Sequence, residues 1–164
     1  MNAFDALMAF QSRTEALAAI AGRLGWDQET VMPRGAAEQR GEEMAAIEAV
    51  LHARRTDPRI GDWLAAASDQ TDAAALAALR LIRRSYDRTT KVPEDLAAEI
   101  ARVTSVAQGA WAEARAADDF ASFAPTLERV LDLKREEAAA VSGGGDLYDA
   151  LLDDYEPGMT GATL

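Results

Sequence analysis

Cysteine is absent from these 164 residues, histidine occurs once, at position 52, and aromatic residues make up only 6%. The first absence excludes disulfides and thiol catalysis and is compatible with a reducing compartment. The second leaves a zinc site without histidine or sulfur partners and removes a Ser-His-Asp arrangement unless His52 served alone. Basic side chains are also scarce, 17 against 28 acidic ones, giving a formal charge of −11 and a pI near 4.5. Nucleic acid and anionic membranes both require clustered cations, so neither is an expected partner. No apolar run approaches the ~20 residues of a membrane-spanning helix, and the N-terminus lacks a basic segment followed by an apolar core. A soluble, cytoplasmic protein is expected.

What the chain does contain is alanine. It dominates a composition that is 49% hydrophobic, and it is both the best helix former and small enough to let helices approach closely. An all-α fold follows as the expectation. At this length one domain over 1–164 buries roughly two thirds of the surface that its unfolded chain exposes.

Apolar spacing predicts about seven helices. The first runs from about Asn2 to Leu24, with Phe4, Leu7, Phe10, Leu17, Ile20 and Leu24 on one stripe and Gly25 as its stop. Trp26, Val31 and Met32 are then expected in a packed loop, because Pro33 disfavours helix at Met32. A second helix, about Ala36 to Arg54, turns Met44, Ile47, Val50 and Leu51 inward and Glu38, Glu42, Glu43 and Glu48 mostly outward. Its last turn, His52 to Arg55, suits the helix dipole. Asp57-Pro58 reads as the N-cap and first residue of a short helix with Ile60, Trp63 and Leu64, ended by the polar stretch Ser68 to Thr71.

The fourth helix, about Asp72 to Thr89, carries Leu76, Leu79, Ile82 and Tyr86 on one stripe and the basic cluster Arg80, Arg83, Arg84 and Arg88 on the others. Pro93 opens the next at about 93–117, with the stripe Leu96, Ile100, Val103, Ala107, Trp111 and Ala114. A sixth, about Phe123 to Val141, turns Leu127, Val130, Leu131 and Ala138 inward. Gly143-Gly144-Gly145 forms a flexible joint over 142–146, and Leu147, Leu151 and Leu152 mark a short closing helix.

Little of this carries chemistry. Glu48 and His52 share a helix face at a chelating spacing, but zinc needs three or four ligands and only carboxylates remain; a solvated helix-end histidine is the simpler reading. The triple glycine lacks the GK[ST] ending of a phosphate loop. The tryptophans read as core anchors, with Trp26 the exception because of its loop.

Asp149, Asp153, Asp154 and Glu156 cluster at the end of the closing helix, where the dipole disfavours carboxylates. They form either a solvated turn or a docking surface for cations, in the Arg80–Arg88 cluster or in polypeptide not included here. Asp153, Asp154 and Glu156 are the candidate docking residues for such a missing domain or partner. The chain then breaks at Glu156-Pro157-Gly158 and offers Thr160 as the N-cap of a helix that does not follow, so a longer polypeptide is expected.

Three blocks, GWDQETVMPRGAAEQRGEEMAAIEAVLH (25–52), KVPEDLAAEIARVTSVAQGAWAEARAADDFASFAPTLERVLDLKREEAA (91–139) and YDALLDDYEPGMT (148–160), occur in this order over almost the whole chain. Together they resemble the M32 metallocarboxypeptidases of the carboxypeptidase Taq type. The resemblance implies a mainly helical enzyme that removes C-terminal residues from peptides. In that family zinc or cobalt is held by an HEXXH helix and a downstream glutamate, and the motif glutamate is the general base. This sequence contains no HEXXH, and His52 in VLHARR matches no part of it, so no catalytic, cofactor-binding or metal residue carries over.

What matches is similar to the N-terminal helices that form a wall or lid over the family's substrate channel. By the same resemblance a homodimer is implied, and peptide is a substrate only of a full-length enzyme. The expectation is an N-terminal region that is inactive alone. A reading from a different class is a stand-alone helical interaction module that reuses the fold.

Overall fold

Residues 2–67 and 69–164 are described by a computed structural model; Ser68, where the polar break after the third helix is expected, lies outside the described residues. Within them seven α-helices and one 3₁₀ turn follow one another: α1 Ala3–Thr30, the turn Arg34–Ala36, α2 Ala37–Arg55, α3 Pro58–Ala66, α4 Ala73–Thr89, α5 Glu94–Ala117, α6 Phe120–Ser142 and α7 Leu147–Leu152. The all-α expectation holds, and the reason is local. Asn2, Asp57, Asp72, Asp119 and Asp146 each accept a first-turn N–H at the start of a helix, which satisfies donors that would otherwise be orphaned. α5 has no side-chain cap and starts instead after Pro93, with Glu94 and Asp95 in its first turn, where the dipole favours negative charge.

α2 and α5 form the most extensive helix pair; α6 packs on α5, α7 on α6, and α1 lies against both α2 and α3. The α2–α5 approach is set at Gly41. A Cβ there would stand 3.0 Å from Val106 Cγ2 and 3.3 Å from Arg102 Cγ, so a larger residue holds the two helices apart. A second centre lies where α1, α3 and α4 meet: Leu7, Ile60 and Leu64 are buried and are packed by Phe10, Trp63, Leu79, Ile82 and Tyr86.

α1 does not stop at Gly25. A helical glycine costs only about 1 kcal/mol relative to alanine, and the residues beyond it gain tertiary partners. Asp27 pairs with Arg40 at 2.5 Å, and Gln28 Nε2 donates to the Ser105 carbonyl at 2.7 Å while the Ser105 hydroxyl donates to Gln28 Oε1 at 2.7 Å. The helix ends at the cap Val31, two residues before Pro33. Trp26 and Val31 therefore sit at a helix end and are 65% and 66% exposed, contrary to the packed loop expected.

Other assignments shift for similar reasons. α6 starts three residues early because Asp119 caps it, and it holds Pro125 in its interior, where the missing N–H leaves the Ala121 carbonyl without its intrahelical donor. Leu133 is buried in that helix while Leu131 is exposed. Val50, Leu76 and Leu147 are likewise exposed, and so is Trp111, expected as a core anchor. Alanines fill much of the buried surface in their place, with Ala45 on α2, Ala107 and Ala114 on α5 and Ala138 on α6 all buried.

Candidate functional site

The acidic turn at the end of α7 lies against the basic face of α4. Arg84 Nη2 is 2.7 Å from Asp153 Oδ2 and also donates to the Asp153 carbonyl. One turn later Arg88 pairs with Asp154 and, at 3.5 Å, with Glu137 of α6. The other Asp153 oxygen accepts the Gly158 N–H at 2.9 Å, and Gly158 has φ +84°, a conformation that favours glycine. The Arg84 guanidinium, seconded by that N–H, holds the Asp153 carboxyl below the usual carboxylate range.

Glu156 is exposed and makes no ion pair among the described residues, so the turn brings two of the three candidate residues onto arginines and leaves the third in solvent. Between α4, the end of α6 and α7 lies a cleft of about 620 Å³, lined in part by Arg80, Arg83 and Lys91 on one side and Asp146 and Asp149 on another. Thr160 opens a turn within the described residues: its N–H donates to Thr163 Oγ1 at 3.1 Å, and its carbonyl accepts the Thr163 N–H at 2.9 Å.

His52 is buried, not solvated at a helix end. Its Nε2 lies 2.7 Å from the Val92 carbonyl, and since a carbonyl can only accept, Nε2 is the donor. Nδ1 is buried with no hydrogen-bond partner among the described residues. The imidazole thus ties α2 to the α4–α5 connection. Beside it Glu48 is partly buried and pairs with Arg55 at 3.3 Å; burial pushes its carboxyl above the usual range, opposed by the charges of Arg55 and His52. A cavity of about 260 Å³ adjoins these groups and Glu137. No group of three or more His, Cys, Asp or Glu side chains among the described residues is placed to hold a metal ion. Zinc or cobalt, implied by the resemblance, does not fit these residues.

The most connected polar group escaped sequence reasoning. Arg40 is buried, donates Nη1 to the Leu24 carbonyl, sets Nη2 against Asp27 and places Nε 2.9 Å from Glu43 Oε2. Its pKa is raised, chiefly by the Asp27 hydrogen bond. The Arg40–Glu43 spacing of three is visible in the sequence; the Asp27 partner lies across Pro33 on another helix and is not. Alongside, a groove of about 550 Å³ runs past Gln28, Met32 and Ser105.

These features define an all-helical unit in which the arginines of the candidate site are paired with carboxylates of neighbouring elements. Compared with known proteins, the chain belongs to the carboxypeptidase Taq (M32) metallopeptidase family, whose description matches residues 6–164. Thermostable carboxypeptidase 1 of Thermus thermophilus is 40% identical over an alignment that takes in 99% of this chain and 34% of that protein. The crystal structure of BsuCP superposes with a TM-score of 0.83 at 28% identity, covering 98% of this chain and 32% of that one. Metallocarboxypeptidase 1 of Trypanosoma cruzi gives a TM-score of 0.74 at 30% identity, covering 98% and 33%. The chain spans about a third of the length of the relatives it matches.

Proposed function

We propose that this chain is the N-terminal helical wall of an M32-type metal-dependent carboxypeptidase, that it helps to shape the substrate channel, and that it releases no C-terminal residues by itself. The observation that carries this reading is coverage: the family match extends over residues 6–164, yet these amount to about a third of each relative. The metal, zinc or cobalt, and the peptide substrate belong in this reading to the longer enzyme, as does any homodimer. The absence of HEXXH from the sequence is in keeping with that division.

Exposed apolar residues support it as well. Trp26, Val31, Trp111 and Phe120 are all more than half exposed, a surface that further polypeptide would cover. At the acidic turn, contact with such polypeptide falls to Glu156, because Asp153 and Asp154 already meet arginines of α4.

Release of C-terminal amino acids from peptides, assayed with added zinc or cobalt, tests the proposal. No metal-dependent turnover by the pure chain is expected; turnover that a chelator abolishes overturns the inactive reading. The same exposed aromatic residues also favour a second reading, an interaction module built on this fold. A discrete oligomer or a stoichiometric co-purifying partner in size-exclusion chromatography with light scattering supports the module. A monomer that self-associates without fixed stoichiometry supports the enzyme segment.

A further inference from the structure

We infer that residues 146–164 form a hinged arm held against α4 by charge, with Arg84–Asp153 and Arg88–Asp154 as its clasp and the glycines at 143–145 as its hinge. The arm's own helix cannot persist unaided. α7 has six residues, and isolated helices shorter than about 12–15 residues are marginal in water, so its order reports its docking.

Apolar burial in the arm is thin. Leu151 and Leu152 are half-buried, whereas Leu147, Tyr148 and Tyr155 are exposed, Tyr155 at 81%. The polar contacts are in register instead: two arginines one helical turn apart meet two consecutive aspartates, and Arg88 is shared with Glu137. Gly143 and Gly144 have φ of +60° and +89°, and no atom lies within 4 Å of where a Cβ would stand on either.

The clasp is exposed to salt and to acid. Side-chain exposure of Arg84 and Asp153 is 41% and 44%, and raising ionic strength from about 0.1 to about 1 M shortens the screening length from about 10 to about 3 Å. Arg80, Arg83, Arg84, Arg88 and Lys91 line the cleft beside the arm together with Asp87, the arm itself contributes Asp146, Asp149 and Asp153, and Glu137 reaches Arg88 from α6, where it also pairs with Lys134. Protonating Asp153 removes a clasp anion from beside those cations. Opening uncovers the basic face of α4 in an otherwise acidic protein.

Hydrogen exchange of the 164-residue chain, read by mass spectrometry, tests this. Amides of 147–156 should exchange roughly three- to tenfold faster in about 1 M than in about 0.1 M sodium chloride, the range expected when a few exposed ion pairs are screened. Those of α5 should be unaffected. The double variant Arg84→Gln, Arg88→Gln should show the fast rates already at low salt and lose the salt response.

Two results overturn the inference. One is protection of 147–156 that ignores both salt and the double variant but falls with Leu151→Ala, which places the docking in the leucines. The other is acceleration matched in α5 and α6, which makes it global unfolding.

Discussion

Arg40 Nη2 stands 2.5 Å from Asp27 Oδ2, joining the last turn of α1 to the beginning of α2 across the corner at Pro33. The same guanidinium donates to the Leu24 carbonyl and to Glu43, so one side chain spans three acceptors. Arg40→Ala should lower the unfolding free energy by about 1.5–3 kcal/mol, the range for hydrogen bonds to charged groups. Arg40→Lys should recover little, since an ammonium lacks the planar fork. Urea denaturation of both variants checks this; a lysine variant as stable as the parent would show that the fork geometry is unimportant.

Glycine position separates two opposite outcomes. At Gly41 the approach of Val106 and Arg102 leaves no room, so Gly41→Leu should cost about 1–3 kcal/mol by overpacking. Gly22 lies inside α1 with nothing within 4 Å of its absent Cβ, so Gly22→Ala should stabilise by about 0.5–1 kcal/mol through helix propensity. Thermal melts of the pair decide the matter, and destabilisation by both would contradict the packing described for α1.

Leu7 is fully buried between Ile60 and Leu64. Leu7→Ala should cost about 2–5 kcal/mol, the span for leucine truncation in cores. A loss below about 1 kcal/mol in chemical denaturation would mean that the corner formed by α1, α3 and α4 collapses around the vacancy.

The pH response should combine two opposing signs. The Arg59 side chain beside Asp57 and the Arg84 side chain beside Asp153 hold those carboxyls below their ordinary values. Their contribution is complete above the ordinary aspartate range, near pH 4, and is lost as pH falls through the depressed values. Glu48 behaves oppositely, because burial raises its carboxyl: it binds more protons folded than unfolded, so stability declines as pH rises from the ordinary glutamate value through the raised one. Glu48→Gln should therefore stabilise the protein at pH 7 by up to about 0.5 kcal/mol and by less at pH 4. An equal effect at both pH values would remove burial as the cause.

Much of the fold was legible because it is written locally. Asp57-Pro58, Asp72 and Asp146 cap the helices they precede, and alanine content with apolar spacing announces helices. What escaped depends on distant partners. Gly25 looks like a stop until Arg40 and Ser105 are placed beside the next turn; His52 looks solvated until the α4–α5 connection brings Val92 to its ring.

Trp26 and Trp111 read as buried by residue type, yet the structure leaves both more than half exposed. At the candidate site the sequence showed an acidic turn and an arginine cluster, and their residue-by-residue pairing required the fold.

Titrating zinc(II) and cobalt(II) calorimetrically into the 164-residue chain near neutral pH tests most directly whether its residues serve as scaffold and not as metal centre. With one histidine, one ring nitrogen of which is committed to Val92, and with no cluster of three ligand side chains among the described residues, no stoichiometric binding is predicted. Saturable one-to-one binding of either metal that His52→Ala abolishes would contradict it.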